Sequence, residues 1–261
     1  MRQLLLPEPR ARIRWIDLPG STPARVYLHG LGSTAAEFCP TAAHPLLVGR
    51  RSLLVDLLGF GFSDRPETFD YTIESHAGVV GQLLDALELT QCEVVGHSMG
   101  GAVAVALGRA RPDLISRLVL AEPALIGAGR LSGWIATLSE NDYVRRGHPL
   151  VLARLRNSRD QADLDALPAF EAASPLAVHR SSVGLVLGAE PGLRKAFEDM
   201  PVPRACLIGE RSRPDPASDG TYASEITVLT VRGAGHMMMN DAPQAFAECV
   251  HQAVSSRKVV A

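Results

Sequence analysis

Cys92-Glu93-Val94-Val95-Gly96-His97-Ser98-Met99-Gly100-Gly101, followed by Ala102-Val103-Ala104-Val105-Ala106-Leu107, is the stretch from which the fold is read. A short apolar run enters Gly96, a serine follows two residues later, and an alanine-rich run leaves Gly101. That order is a strand, a sharp turn and a helix, with Ser98 at the apex. An ordinary serine is a poor nucleophile, and an ordinary turn does not present its hydroxyl. Glycines two residues on either side let the neighbouring backbone approach without a Cβ clash. Gly101 and the alanines let the helix lie close against a sheet. A bare G-x-S-x-G arises by chance, but one framed in this way points to a nucleophile held above a sheet.

Outward from the turn, strand and helix alternate. Arg12 to Leu18, Ala24 to His29 and Ser52 to Asp56 read as strands, the last apolar enough for burial on both faces. Thr72 is placed to cap a helix running to about Leu89, with Ile73, Val80, Leu83, Leu84 and Leu87 at helical spacing. The helix after Ser98 runs to about Arg111, with Pro112 just past its end, and Ser116 to Glu122 is the next strand. The alternation then stops over 123–203, where helix-like stretches are broken by Gly and Pro. It resumes with strands Arg204 to Glu210 and Thr227 to Arg232, and a helix Asp241 to Ser255 with Pro243 in its first turn. The expectation is an α/β fold: a mostly parallel central sheet with helices on both faces, from residues 1–122 and 204–261. An inserted helical cap would occupy 123–203.

The bulk numbers exclude little and narrow the class. With 261 residues, 46% hydrophobic and 21% charged, the chain reads as an ordinary globular protein with a sizeable core. A formal net charge of -2 favours neither nucleic acid nor an anionic membrane as partner. Three leucines before Pro7 are too few for a secretory signal or for the ~20 apolar residues of a membrane span, which makes a cytoplasmic protein the expectation. Cys39, Cys92, Cys206 and Cys249 form no C-x-x-C pair and read as buried free thiols. Oligomeric state is left open, a homo-oligomer included.

Acyl transfer through a serine needs a nucleophile, a base, an acid that orients the base, and donors for the oxyanion. Ser98 is the candidate nucleophile. His236, in Gly233-Ala234-Gly235-His236 between the last strand and the last helix, is the candidate base. The backbone N–H of Met99 is one expected oxyanion donor. Leu31, in His29-Gly30-Leu31-Gly32-Ser33, is the best candidate for the other, because the glycines allow N–H groups to turn inward.

Together these residues resemble the α/β-hydrolase fold superfamily nearly end to end. The resemblance rests on His29 to Gly32, Asp56 with Gly59 to Pro66, Gly96 to Gly101, and Gly235-His236. It implies that Asp56, Ser63 and Arg65 serve a structured loop after a core strand, and that the insertion sets substrate preference. A serine at the apex argues against the dehalogenase and epoxide-hydrolase branches, which use aspartate there. The resemblance implies no metal and no organic cofactor.

The chain departs from the family at the acid. Where Gly-Glu-x-Asp is usual, it reads Gly209-Glu210-Arg211-Ser212, and a serine cannot carry the charge. Asp215, between Pro214 and Pro216, could reach His236 through a longer loop. Glu122, at the end of the preceding strand, is favoured, because a rigid strand end fixes an orienting group better than a proline-flanked loop. Glu210 is the remaining carboxylate nearby.

The segment 123–203 carries Leu125, Leu131, Trp134, Leu155 and Leu185, enough to roof an apolar pocket or merely to pack the insertion down. Arg145, Arg146, Arg154, Arg156 and Arg159 could meet an anionic substrate or a carrier protein, or form a solvated face. Met237 to Met239 could line the pocket or pack. The expected partner is a small-molecule acyl substrate and the expected reaction hydrolysis of an ester, thioester or lactone. Carbon–carbon bond hydrolysis, biosynthetic acyl transfer or cyclisation, and ligand binding by a degenerate site are the alternatives.

Overall fold

Alternating side chains along each central strand divide between two apolar clusters. Val26 and Leu28, Leu53 and Val55, and Leu118 and Leu120 face one way. Tyr27, Leu54, Val119 and Leu207 face the other. This is the period of two expected of strands covered on both sides. The computed structural model describes residues 1–188, 192–212 and 222–256. The strands are β1 Arg2–Leu5, β2 Arg12–Leu18, β3 Ser21–Leu28, β4 Arg50–Asp56, β5 Cys92–His97, β6 Ile115–Ala121, β7 Arg204–Gly209 and β8 Thr227–Val231. They form one sheet in the order β1-β2-β4-β3-β5-β6-β7-β8. β1 and β2, and β2 and β4, pair antiparallel, and every other neighbouring pair is parallel.

From β3 the chain steps outward to β4, then returns to lay β5 on the other side of β3. The loops leaving β3 and β5 therefore diverge at a topological switch point, where open α/β sheets leave a crevice beyond the carboxyl ends of their strands. The glycine-rich segment 29–33 and Ser98 both sit there.

The helices are α1 Cys39–Ala42, α2 Ile73–Ala86, α3 Met99–Ala110, α4 Arg130–Ala136, α5 Glu140–Asp142, α6 His148–Arg156, α7 Gln161–Ala172, α8 Pro175–Leu187, α9 Gly192–Asp199, α10 Met238–Asp241 and α11 Pro243–Ser255. Thr72 caps α2, its hydroxyl accepting the Ser75 N–H at 3.1 Å. Helices α4 to α9 lie between β6 and β7 in sequence. Arg65 ties the loop after β4 to the end of α7 by donating to the carbonyls of Gly61 (2.7 Å) and Ala172 (2.6 Å).

Three local readings change. Arg2–Leu5 is an edge strand paired with β2, too short for any period to reveal it. The last helix, expected from Asp241, starts at Pro243, and a separate short helix Met238–Asp241 precedes it across a break at Ala242, because Pro243 cannot donate a bond back into α10. Cys92 and Cys206 are buried as expected, whereas Cys39 and Cys249 are only half-buried, on elements that cover the sheet. Arg145, Arg146, Arg154, Arg156 and Arg159 are all exposed, with Arg156 paired to Glu171 at 2.6 Å. Among the described residues, no helix is long and apolar enough to cross a membrane, and no cluster of His, Cys, Asp and Glu could hold a metal ion.

Candidate active site

Ser98 sits between β5 and α3 with φ 50° and ψ -116°, a conformation L-residues rarely adopt. Its surroundings hold it there. The Ser98 N–H donates to the Ala121 carbonyl at 2.9 Å, and its own carbonyl accepts from Gly101 (3.0 Å) and Ala124 (3.1 Å). Gly100 is the tightest point, since a Cβ there would lie 2.1 Å from the Leu28 carbonyl oxygen. Both sides of that contact are backbone, so neither can rotate away. Gly100→Ala is expected to destabilise by about 3 kcal/mol, read as a fall in the urea midpoint at unchanged slope.

Beside this turn, the loop after β3 presents Gly30 to Ser33. His29 organises it: the Leu57 N–H must donate, so His29 Nε2 accepts (3.1 Å) and Nδ1–H donates to the Gly30 carbonyl (2.8 Å). Asp56, Ser63 and Arg65 take structural roles. The Asp56 carboxylate accepts the Ala35 N–H (2.7 Å) and the Phe62 N–H (2.9 Å). Ser63 accepts the Arg14 N–H at 2.8 Å. Neither the Leu31 N–H nor the Met99 N–H is bonded to another group among the described residues. Met99 is the first residue of α3, where an unpaired N–H is inherent to the helix.

His236 is carried on a loop pinned at three places. The Gly233 N–H donates to Glu210 (2.8 Å), the Gly235 N–H donates to Asp241 (2.6 Å), and the His236 carbonyl accepts from His97 Nε2 (3.0 Å). The ring's Nδ1 bonds Glu122 Oε2 at 2.7 Å, and Glu122 Oε1 accepts the Gly209 N–H at 2.9 Å. Glu122 itself turns at the end of β6 with φ 39°, its N–H bonded to the Leu207 carbonyl at 3.0 Å. Burial pushes its carboxyl pKa up, but His236 and the Gly209 N–H outweigh that and hold it at about 2. An ionised Glu122 fixes the Nδ1–H tautomer of His236 and leaves Nε2 as an acceptor.

Not every expected residue joins this arrangement. Asp215 lies outside the described residues. Glu210 faces Gly233 rather than the His236 ring, and Ser212 stands where the family resemblance places the acid, its buried hydroxyl without a hydrogen-bond partner among the described residues. Leu31, Ser98, Glu122 and His236 line one cavity of about 760 Å³. Leu131, Leu155, Phe170 and Leu185 from the inserted helices line it as well, as does Met237, while Met238 and Met239 are buried in the core. Glu37 and its contact with His97 were not anticipated from sequence. The signal was thin: an acid after the glycine-rich loop, and a histidine inside the G-x-S-x-G motif.

Residues 24–225 match the alpha/beta hydrolase fold family. The chain belongs to that family. An sn-1-specific diacylglycerol lipase of Mus musculus is 38% identical over 113 residues, 43% of this chain and 36% of that protein. A 2-hydroxy-6-oxo-2,4-heptadienoate hydrolase of Pseudomonas putida is 38% identical over 101 residues, 39% of this chain and 37% of that protein. The matched stretches therefore span little more than a third of either curated relative. Among solved structures, the enol-lactonase of Burkholderia xenovorans superposes with a TM-score of 0.81 at 20% identity, covering 98% of this chain and 100% of that one. That likeness is one of fold.

Proposed function

We propose that this α/β-hydrolase is a serine hydrolase that cleaves a small or medium hydrophobic ester, thioester or lactone through an acyl-enzyme at Ser98. The observation that carries the reading is the 2.7 Å bond from His236 Nδ1 to a carboxylate that stays ionised, beside a serine at a strained turn. Ser98 Oγ attacks the carbonyl carbon and its proton passes to His236 Nε2. The Leu31 and Met99 N–H groups take the charge that develops on the carbonyl oxygen, each worth about 3 kcal/mol. The imidazolium returns the proton to the leaving oxygen or sulfur as that bond breaks. Water then gives a proton to His236 and attacks the acyl ester, and the imidazolium returns that proton to Ser98 Oγ as the Oγ–acyl bond breaks and the acid leaves. No metal or organic cofactor enters these steps.

The substrate is a small acyl compound, and the apolar side chains over the cavity suit a hydrophobic acyl or alcohol group. The 123–203 segment acts as the cap. The phenyl ring of Phe170 occupies the space beside Gly32 on the glycine-rich loop, only 2.2 Å from where a Cβ would stand. The test is hydrolysis of p-nitrophenyl esters, thioesters and lactones across acyl lengths. Activity is expected to peak at short to medium chains, and Phe170→Ala to move the optimum to longer ones. Absence of hydrolysis throughout the panel would overturn the reading. Likeness to the heptadienoate hydrolase favours carbon–carbon bond hydrolysis as the second reading. Turnover of a vinylogous 1,5-diketone with no turnover of esters would select it.

A further inference from the structure

His97 lies inside the nucleophile turn, yet the steps above give it no work. Its ring is packed against the loop after β3, so closely that a Cβ on Gly30 would stand 3.0 Å from Nδ1. From that place it bonds the His236 carbonyl through Nε2 at 3.0 Å, and the two imidazole rings lie 4.8 Å apart. On its other side Nδ1 faces Glu37 Oε1 at 3.7 Å, with the two side chains only 2% and 5% exposed. Neither of those two atoms has a hydrogen-bond partner among the described residues. The second Glu37 oxygen accepts the Ser33 hydroxyl, and Ser33 N–H bonds the Gly30 carbonyl at 3.2 Å. Glu37 stands on the short turn Ala35–Phe38, which Asp56 anchors through the Ala35 N–H.

We propose that Glu37 and His97 are positioning residues, a buried ion pair that clasps the loop bearing Leu31 to the loop bearing His236 across the nucleophile turn. The inference rests on the hydrolase reading for its catalytic consequence.

The clasp depends on the proton count. A carbonyl can only accept, so the bond to His236 requires a proton on His97 Nε2. If His97 loses one proton while Glu37 is ionised, the remaining one settles on Nδ1, facing the carboxylate. Nε2 then turns a lone pair to the His236 carbonyl, and the bond becomes a repulsion. Only the imidazolium satisfies both sides at once. The charged groups facing the ring agree with that state. Burial opposes charge on His97, but Glu37, the Glu122 charge and the His236 carbonyl outweigh it and raise its pKa. Burial likewise opposes charge on Glu37, but His97, His29 and Ser33 outweigh it and lower its pKa. The sign follows: the contribution of His97 to stability is complete below its ordinary value of 6.5 and is lost as pH rises through the raised value.

Glu37→Gln is the informative variant, because an amide can complete the network without charge. Its oxygen accepts from Ser33, its NH2 donates to Nδ1, and a neutral His97 keeps its proton on Nε2. Wild-type kcat is expected to fall on the alkaline side, and that fall is expected to be absent in Glu37→Gln. His97→Leu is expected to lower kcat about 10- to 100-fold at every pH with little change in KM, the signature of a displaced base. Imidazole 15N spectra of the wild-type protein supply a readout that needs neither a variant nor turnover: His97 should carry protons on both ring nitrogens and lose the one on Nε2, keeping that on Nδ1, in step with the alkaline limb. Superimposed pH profiles for wild type and Glu37→Gln, or wild-type kcat in a folded His97→Leu, would overturn the proposal. If wild type hydrolyses no ester, the hydrolase reading is what fails. The 15N spectra then decide the clasp, and a His97 ring that is neutral with Nε2 unprotonated below pH 6.5 ends it.

Discussion

Glu122→Gln is expected to lower kcat about a thousand- to ten-thousand-fold at neutral pH while leaving the fold intact. The carboxylate accepts from two sides, His236 Nδ1–H on one oxygen and the Gly209 N–H on the other. A glutamine cannot accept with both atoms. If its NH2 faces Gly209, two donors collide. If it faces His236, Nδ1 must become the acceptor, the proton moves to Nε2, and the ring can no longer take one from Ser98. The pH dependence separates the roles. With its pKa held at about 2 against an ordinary 4.5, Glu122 contributes its stability fully above 4.5 and loses it as pH falls through about 2. Glu122 therefore stays ionised throughout the neutral and mildly acid range, and its hold on the His236 ring does not change across it. The comparison variant is Asp215→Asn, expected to cost far less. The reverse ranking in kcat would remove Glu122 from the role proposed here.

Ser98→Ala is expected to abolish turnover, a loss of about a million-fold, and to abolish labelling by a fluorophosphonate probe. Equal labelling of wild type and variant would sink the acyl-enzyme proposal. The substitution also separates chemistry from strain. Alanine carries a Cβ into the same backbone conformation, φ 50° and ψ -116°, so it inherits the strain of the turn. Ser98→Gly removes the Cβ and is expected to gain about 1 kcal/mol over Ser98→Ala in the urea midpoint, the remainder after glycine's larger entropy loss on folding. A stabler glycine variant with no activity would mean that the turn holds Ser98 in place at a cost to stability.

The legible parts of this protein are those written in neighbouring residues. The strand, turn and helix around Ser98 follow from local size and polarity, as do the cap at Thr72 and the buried strands from Ser52 and Cys92. Arg2–Leu5 was hidden because four residues show no period and its partner, β2, must exist first. The break at Ala242 was hidden because Pro243 suits the first turn of a helix wherever that helix begins.

The candidate site divides along the same line. Sequence by itself determined that Ser98 is presented at a strand-to-helix turn and that a glycine-bordered histidine follows the last strand. It also left no aspartate at the position held by Ser212. It favoured Glu122 over Asp215 and Glu210 only on the rigidity of a strand end, because Glu122 and His236 are 114 residues apart and no spacing rule joins them. The order of β5, β6 and β7 in the sheet supplies the contact itself, by bringing the end of β6 beside Gly209 and the histidine loop. The Glu37–His97 contact is of the same kind. Each residue is ordinary where it stands in the chain, and the two meet only because β3 and β5 lie side by side in the sheet.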